Sequence, residues 1–539
     1  MGMPTGHTVD GKRHIGPLSH WPASADEKAL GETIPQLLAR RCAEHGDAAA
    51  FYWPHGSGLA HMTYSELSAA ATTVGAALAG LAEPGERIAV WSRNSVEWVL
   101  LEYGCALAGL IVTPLNAGWT DTEVSYAVEL TDPAAIFVGF DHRGTNLVTR
   151  AAAIPHGKPV FALDDLRDWA ARTAQSVLPV VAPDDPFLIQ FTSGTTGRAK
   201  GAVLTQRAVL NVADLRNRHD VIGDNDVWLN PVPYHHVGGS CFVILGGLVS
   251  AGAFIVLESY SATQTLALLE HRVVTRIGGV PTMVTDALEH LGDNPRRAGI
   301  RSVSLGAAIV TQHLVDRIKA TLATPVVITY GQSECPAITS TNIDDDSATV
   351  AGTIGRPVPG ADVRIADPES GTVVPVGLCG EIQVRSRCVM RGYWGMPEQT
   401  AESFTEDGFL RTGDLGAMDE RGYVTFRGRA RDVIIRGGEN IYPAEVEGLL
   451  VAHPGVADAV LVGVDDERLG EIVAGVVVRT PGSTVTGAQL AEYLNGSVAR
   501  FKIPALWRFV AELPLTSSGK VKRFVIRDDT NAEFAGRIG

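Results

Sequence analysis

Between residues 63 and 163 the sequence alternates helix-like and strand-like segments almost without interruption. TYSELSAAATTVGAALAGL opens on Thr63 and Glu66, a capping box ahead of helically spaced apolar residues. RIAVWS then reads as a strand, SVEWVLLEYGCALAGL as a helix, IVTPLN as a strand, TDTEVSYAVEL as a helix and AAIFVG as a strand. This rhythm leaves few folds open. It predicts a parallel, doubly wound sheet with helices on its faces. In such sheets, ligand loops lie beyond the carboxyl ends of the strands. The alternation returns after residue 200 with the strands GAVLT, AFIVLES and VVITY, and Thr205 is placed to cap the helix after GAVLT. From about 340 to 430 short strands and glycine turns take over (GTIGRPVPGADVRIAD, GEIQVRSR, GYVTFRGR), which predicts a β-rich subdomain. Beyond 431 the helix PAEVEGLLVAH, the strands VADAVLVGV and EIVAGVVVR, the helix TGAQLAEYLNGSVA and the strand WRFVAEL form a compact mixed unit. The expected fold is therefore α/β. A large N-terminal domain over residues 1–430, with doubly wound mixed sheets plus the β-rich subdomain, precedes a small α+β C-terminal domain over residues 431–539.

A hydrophobic fraction of 45% in 539 residues supplies large cores and excludes a disordered or fibrous chain. The 45 basic and 60 acidic residues sum to −15, so no global cation field exists for nucleic acid or an anionic membrane. An anionic substrate must be held locally. Only eight lysines occur (12, 28, 158, 200, 319, 502, 520 and 522), so a lysine inside a motif is informative. None of the six cysteines sits in a CxxC pair, which argues against zinc. With no secretory signal pattern, reduced thiols and a cytoplasmic location are expected. Residues 237–257 carry no charge over 21 positions, long enough for a bilayer. Gly238, Gly239, Gly246, Gly247 and Gly252 interrupt the run, so a buried helix followed by a strand is expected, with no integral membrane segment.

Residues 191–201, FTSGTTGRAKG, lie between the strands PFLIQF and GAVLT. Three glycines permit close backbone approach, Thr192, Ser193, Thr195 and Thr196 offer hydroxyls, and Arg198 and Lys200 add charge. Backbone N–H groups and hydroxyls in this density suit phosphate oxygens. The loop is not a Walker A motif, because Lys200 is followed by glycine.

TSGTTGRAKG resembles the signature loop of the adenylate-forming superfamily of acyl-CoA synthetases, stand-alone adenylation domains and beetle luciferases. Further motifs follow in the family's order from about residue 30 to 525. PYHHVGG, GGVPTM, CVMRGYW and GGENIYPAEVE look most like fatty- or aryl-acyl-CoA synthetases.

The resemblance implies roles residue by residue. Thr192, Ser193, Gly194, Thr195, Thr196, Gly197 and Lys200 would hold ATP phosphates. In Tyr330-Gly331-Gln332-Ser333-Glu334, Tyr330 would stack near adenine and Ser333, in place of the usual threonine, would touch the α-phosphate. Glu334 would bind Mg²⁺ together with Thr192. A carboxylate beside phosphates is repelled unless a hard cation lies between them. Gly306, Ala307 and Ala308 would leave room for the flat base. Asp414, in Thr412-Gly413-Asp414, would accept from the ribose hydroxyls, with Phe426 and Arg429 as further nucleotide contacts. His235, His236, Pro281 and Gly306 would line the acid pocket, with His236 as its gate. Lys520, in PLTSSGK, would complete the adenylation site. It lies 320 residues from Lys200, so only closure of a mobile C-terminal domain would bring both to one ATP. Arg431 resembles the hinge, and Gly437 and Gly438 the loop that admits the pantetheine arm of coenzyme A. Gln206 and Arg431 depart from the family's commoner residues without removing a catalytic group.

The implied reaction activates a carboxylic acid with ATP and Mg²⁺, releases pyrophosphate, and passes the acyl group to the thiol of CoA. An alternative keeps the adenylation and changes the acceptor to a carrier protein, an amine or another nucleophile. A nucleotide sensor without turnover would need neither Lys520 nor Glu334, and no GxSxG elbow supports a serine hydrolase. The expected partners are small molecules, with a homodimer left open.

Overall fold

The computed structural model describes residues 7–9, 12–14, 16–24, 28–139, 141–142, 144–192, 199–270, 273–291, 299–466, 468–515 and 521–534. They gather into two compact units. One comprises Trp21–Val363 and Val384–Leu410, the other Met1–His20, Arg364–Gln383 and Arg411–Gly539. Compactness thus groups β-rich strands with the C-terminal stretch, a grouping that a boundary at residue 430 does not draw.

The first unit is built on two mixed sheets. In the seven-stranded sheet the order is Val160–Ala162, Ala135–Val138, Arg87–Trp91, Ile111–Leu115, Pro186–Thr192, Lys200–Thr205, Gly392–Tyr393. The first five run parallel, joined by crossover helices, and the last two are antiparallel additions. The expected capping box forms at Thr63 and Glu66 and starts the helix Tyr64–Leu78. That helix packs closely on Val96–Leu107, where a Cβ on Gly104 would lie 2.5 Å from a Val74 methyl. Val96–Leu107 is buried along nearly its whole length, as its largely apolar sequence requires, with Glu102 a buried exception. Gln206–Asp220 is largely buried too, although its sequence is polar. Its polar side chains find internal partners: Asn217 donates to the Gly246 carbonyl, and the Arg216 guanidinium stacks 3.8 Å over Trp228.

The nine-stranded sheet contains four adjacent parallel strands: Val326–Gln332, Ser302–Gly306, Arg276–Gly279 and Val227–Leu229. Register places Leu229 beside Ile277, Gly279 beside Leu305 and Gly306 beside Thr329, so their carboxyl ends form one row. The uncharged run 237–257 becomes a π-helical turn (Gly238–Ile244), a short helix (Leu245–Ser250) and the strand Ala253–Ile255, shorter than the stretch AFIVLES. Among the described residues no helix is long and apolar enough to cross a membrane.

The opposite ends of these strands hold a buried ion cluster. Asp226, 1% exposed, accepts from Arg276 Nη2 (3.2 Å), Arg301 Nη1 (3.1 Å) and the Thr275 hydroxyl (2.7 Å). Removing the carboxylate strands a buried guanidinium. Asp226→Ala should therefore cost about 3–5 kcal/mol in chemical denaturation.

In the second unit, Val424–Arg429 and Leu410–Met418 pair antiparallel within a five-stranded sheet completed by Cys379–Arg385, Asp362–Ala366 and His20–Trp21. Another sheet orders Glu439–Ile441, Ile434–Arg436, Gly470–Arg479 and Val456–Asp466, with Leu506–Val510 parallel to Gly470–Arg479. The helices Pro443–Val451 and Gly487–Leu494 bury Val446, Leu450 and Leu490 against it. A helix that sequence patterning does not announce, Arg523–Phe534, is held by Ile526 and Phe534 in the core and by a two-pronged Arg523–Glu447 pair at 2.7 Å.

Candidate active site

The strands Val326–Gln332 and Cys335–Ser340 form a hairpin with Gln332 opposite Cys335, leaving Ser333-Glu334 as its two-residue tip. Gly331 permits the close return, since a Cβ there would lie 2.1 Å from the Pro336 carbonyl oxygen. Glu334 is half-buried and its carbonyl accepts the Met390 N–H at 2.7 Å. The Tyr393 hydroxyl donates to Glu334 Oε1 at 2.7 Å. Tyr393 pairs with Ala202 across the sheet, and Lys200 Nζ lies 4.8 Å from the centre of its ring. Lys200 itself stands opposite Thr192. Strand pairing thus links Thr192, Lys200 and Tyr393, and the Tyr393 hydroxyl joins them to Glu334. Burial, together with the Glu334 carboxylate, holds the Tyr393 phenol well above its usual range, so it remains a donor. Tyr393 has no task in the motif reading. Its signal is the tyrosine of CVMRGYW, and only the strand pairing reveals its use. The adjacent Cys335 is no nucleophile, because burial pushes its thiol up to about 12.

Ser193, Gly194, Thr195, Thr196 and Gly197 of the glycine-rich loop, and Lys520, lie outside the described residues. Among the described residues no cluster of three or more His, Cys, Asp or Glu could hold a metal. The Glu334 carboxylate and Thr192 hydroxyl are hard oxygen donors. One carboxylate completed by substrate phosphates is how Mg²⁺ is commonly bound, so these residues fit that ion.

The neighbouring strand ends continue the row. Gly306, Ala307 and Ala308 follow the strand Ser302–Gly306, and Ala307 adopts φ +65°, an uncommon conformation for a residue with a side chain. Tyr330 lies on the adjacent strand, half-buried. Pro281 opens the helix Pro281–Leu291 just after Arg276–Gly279. Beyond Val227–Leu229 the chain reaches buried Tyr234, then His235 and His236, whose rings are 5.0 Å apart. Gln190 Nε2 donates to the His235 carbonyl at 2.8 Å. The His236 carbonyl accepts the Gly239 and Ser240 N–H groups at the entry to the π-helical turn. Such turns are frequent at functional sites. The four parallel strand ends therefore bring the expected acid-pocket residues and the Tyr330–Glu334 segment to one edge. Gln206, by contrast, is structural: it accepts from the Ile34 N–H and donates to the Ala106 carbonyl.

In the second unit Asp414 is paired with Arg429 across two strands, Oδ1 to Nε 3.3 Å. The Thr412 hydroxyl accepts the Asp414 N–H and donates to the Ile382 carbonyl, and Gly413 N–H donates to Glu381. Phe426 lies opposite Gly416, half-buried. Exposed Arg431 sits in the short helical turn Ala430–Asp432. Gly437 and Gly438 join Ile434–Arg436 to Glu439–Ile441 with φ of +59° and +87°, the two left-handed residues that a tight hairpin turn of this kind requires.

A family profile described as AMP-binding enzyme matches residues 38–394, and one described as AMP-binding enzyme C-terminal domain matches residues 445–520. The chain is 34% identical over 526 residues to a 3-[(3aS,4S,7aS)-7a-methyl-1,5-dioxo-octahydro-1H-inden-4-yl]propanoyl:CoA ligase of Rhodococcus jostii, covering 92% of this chain and 98% of that one. It is 29% identical to the mitochondrial medium-chain acyl-CoA ligase ACSF2 of Mus musculus, covering 95% and 90%. Among solved structures, ATP-bound MatB from Rhodopseudomonas palustris superposes with a TM-score of 0.84 at 32% identity, covering 93% of this chain and 100% of that one. The o-succinylbenzoate CoA synthetase of Bacillus subtilis, holding its acyl-adenylate, gives 0.82 at 26% identity, covering 92% and 98%. With matches running through both parts of the chain, this protein belongs to the AMP-binding enzymes, within the adenylate-forming acyl-CoA synthetase family.

Proposed function

We propose that the chain joins a carboxylic acid to the thiol of CoA in two steps, forming an acyl-adenylate and pyrophosphate from ATP and then acyl-CoA and AMP. The observation that carries this reading is the Lys200–Tyr393–Glu334 linkage at the mouth of a glycine-rich loop, on the same unit as the histidine pair.

In the first step the acid's carboxylate oxygen attacks the α-phosphorus and the bond to pyrophosphate breaks. Two anions must approach, so charge neutralisation and positioning dominate. Lys200 and Lys520 supply fixed positive charge, and the hydroxyl of Ser333 contacts the α-phosphate. Tyr393 turns one oxygen of Glu334 toward itself and leaves the other to a cation. Mg²⁺ held by Glu334 and Thr192 would neutralise phosphate charge. Tyr330 and the small Gly306, Ala307 and Ala308 accept the adenine, while Asp414, oriented by Arg429, receives the ribose hydroxyls, with Phe426 beside them. In the second step the CoA sulfur attacks the acyl carbonyl and AMP leaves. We assign residues 431–539 as the body that rearranges between the steps about Arg431, withdrawing Lys520 and presenting Gly437 and Gly438.

The experiment is pyrophosphate release over a panel of acids, followed by thioester formation with CoA. The relatives' names make ring-bearing propanoates and medium-chain fatty acids the first members to include. Acid-dependent pyrophosphate release without CoA thioester would move the acceptor to a carrier protein or another nucleophile, and no acid-dependent release would leave a nucleotide sensor. His236→Ala should change the ranking of accepted acids more than the KM for ATP. An unchanged ranking in a folded variant would remove His236 from the gate.

A further inference from the structure

Trp98 and Glu102 are four apart along the buried helix Val96–Leu107 and so share one face, and Asn94 lies just ahead of its N-cap, Ser95. All three reach the segment that carries His235 and His236. Asn94 Nδ2 donates to the Val232 carbonyl (3.0 Å), and its Oδ1 accepts the Tyr234 N–H (2.7 Å). The Trp98 ring lies against Tyr234, centroids 6.4 Å apart. Glu102 Oε1 accepts the Ser240 hydroxyl (2.6 Å), and its Oε2 accepts the Trp98 indole N–H (3.3 Å). Tyr103, next on the helix, donates to the Ile244 carbonyl at the far end of the π-helical turn. The two histidines therefore lie between gripped positions, Tyr234 before them and Ser240 after them.

We propose that Glu102 is a positioning residue for the acid gate: by receiving Ser240 and Trp98 together, it fixes both ends of the loop bearing His236 and so sets which acids the pocket admits. The proposal rests on the reading of His236 as the gate. An alkyl side chain at position 102 would fill the same apolar space, but it would leave the Ser240 hydroxyl and the Trp98 N–H unpaired in the interior, a cost that buried polar groups rarely bear.

The surroundings also make this carboxyl responsive to pH. Glu102 is 2% exposed. The titratable groups that face it are phenols and thiols: Tyr103 and Cys105 from its own helix, Tyr234 and Cys241 from the gate segment. Tyr64, from the helix Tyr64–Leu78, faces Tyr103. Burial pushes the Glu102 carboxyl up to about 7, with the bonds from Ser240 and Trp98 opposing the rise. Losing that proton costs more here than in water, so the braced loop weakens as pH rises from the ordinary carboxylate range to about 7 and weakens no further above it. The KM for the acid should accordingly rise from pH 6 to pH 8.

The test measures KM for acid, KM for ATP and kcat of acid-dependent pyrophosphate release at pH 6 and 8, for the parent, Glu102→Gln, Glu102→Leu, Ser240→Ala and His236→Ala. Glu102→Leu should raise the acid KM about tenfold, the scale of one or two lost buried hydrogen bonds, with the ATP KM within about twofold. Glu102→Gln is neutral and of the same size, and it keeps both contacts if its oxygen accepts the Trp98 N–H while its NH2 donates to the Ser240 oxygen, so it should match the parent at pH 6 and lose the rise toward pH 8. Should Glu102→Leu fail to fold, Ser240→Ala, which removes only the donor, carries the test with a smaller rise in acid KM alone. Parent-like acid KM and acid ranking in folded Glu102→Leu or Ser240→Ala, while His236→Ala changes the ranking, would overturn the brace. An unchanged ranking in His236→Ala as well would overturn the gate reading on which it rests.

Discussion

Lys520→Ala is expected to slow acyl-adenylate formation by about 10²–10³-fold, the usual effect of removing one preorganised charge contact, while a supplied acyl-adenylate still passes to CoA near the parent rate. The asymmetry follows from where charge develops. Negative charge concentrates around the α-phosphate only while ATP is attacked, so a lysine acting there has no role once the mixed anhydride exists. Gly438 should behave in the opposite way. A Cβ at this position would meet nothing within 4 Å, so the space beside it is open. A leucine there would fill that space and obstruct the thin pantetheine arm without touching ATP. Gly438→Leu should form acyl-adenylate from acid and ATP and fail to make thioester. Its φ of +87° makes any side chain strained, and retained adenylation together with a normal thermal melt serves as the internal control. Both half-reactions are measured on both variants. Loss of the same half-reaction to the same degree in both would end the two-conformation mechanism.

The second large effect is expected at Glu334. Glu334→Gln keeps the size of the side chain and an oxygen that can accept the Tyr393 hydroxyl, now at 2.7 Å, but removes the charge. Adenylation should fall by roughly 10²–10³-fold, and the Mg²⁺ concentration needed for half-maximal rate should rise, because a hard cation prefers an ionised carboxylate. Tyr393→Phe separates charge from orientation. It leaves the carboxylate intact and frees the oxygen that the phenol occupied, so its effect should be smaller and should fall on rate more than on the Mg²⁺ requirement. Parent-like pyrophosphate release in Glu334→Gln would remove Glu334 from the phosphate site.

How much of this was legible in the chain itself depends on the range of the interaction concerned. Thr63 and Glu66 announce a helix start because a capping box closes within four residues, and it forms as read. The alternation over residues 63–163 specifies crossovers, and the parallel strands follow because helical connections leave little else. The glycine-rich loop, the Tyr330–Glu334 segment and Thr412-Gly413-Asp414 are legible as short motifs, and short motifs survive in sequence order, whereas the pairing of Asp414 with Arg429 comes from strand register. Three further features are not legible in this way. The helix Arg523–Phe534 has a weakly apolar pattern, and it is the Glu447 carboxylate on another element that secures it. The helix Gln206–Asp220 is polar in sequence, yet it is buried because partners for Arg216 and Asn217 arrive from Trp228 and the Gly246 carbonyl. Tyr393 and Glu102 stand next to the proposed chemistry only through strand pairing and helix packing. Sequence by itself determined the α/β architecture, the family and most of the residues to be tested, since local hydrogen bonding and periodicity act over a few positions. The tertiary structure decided which polar groups are buried and what each one faces, because register and packing join residues whose separation along the chain leaves no local trace.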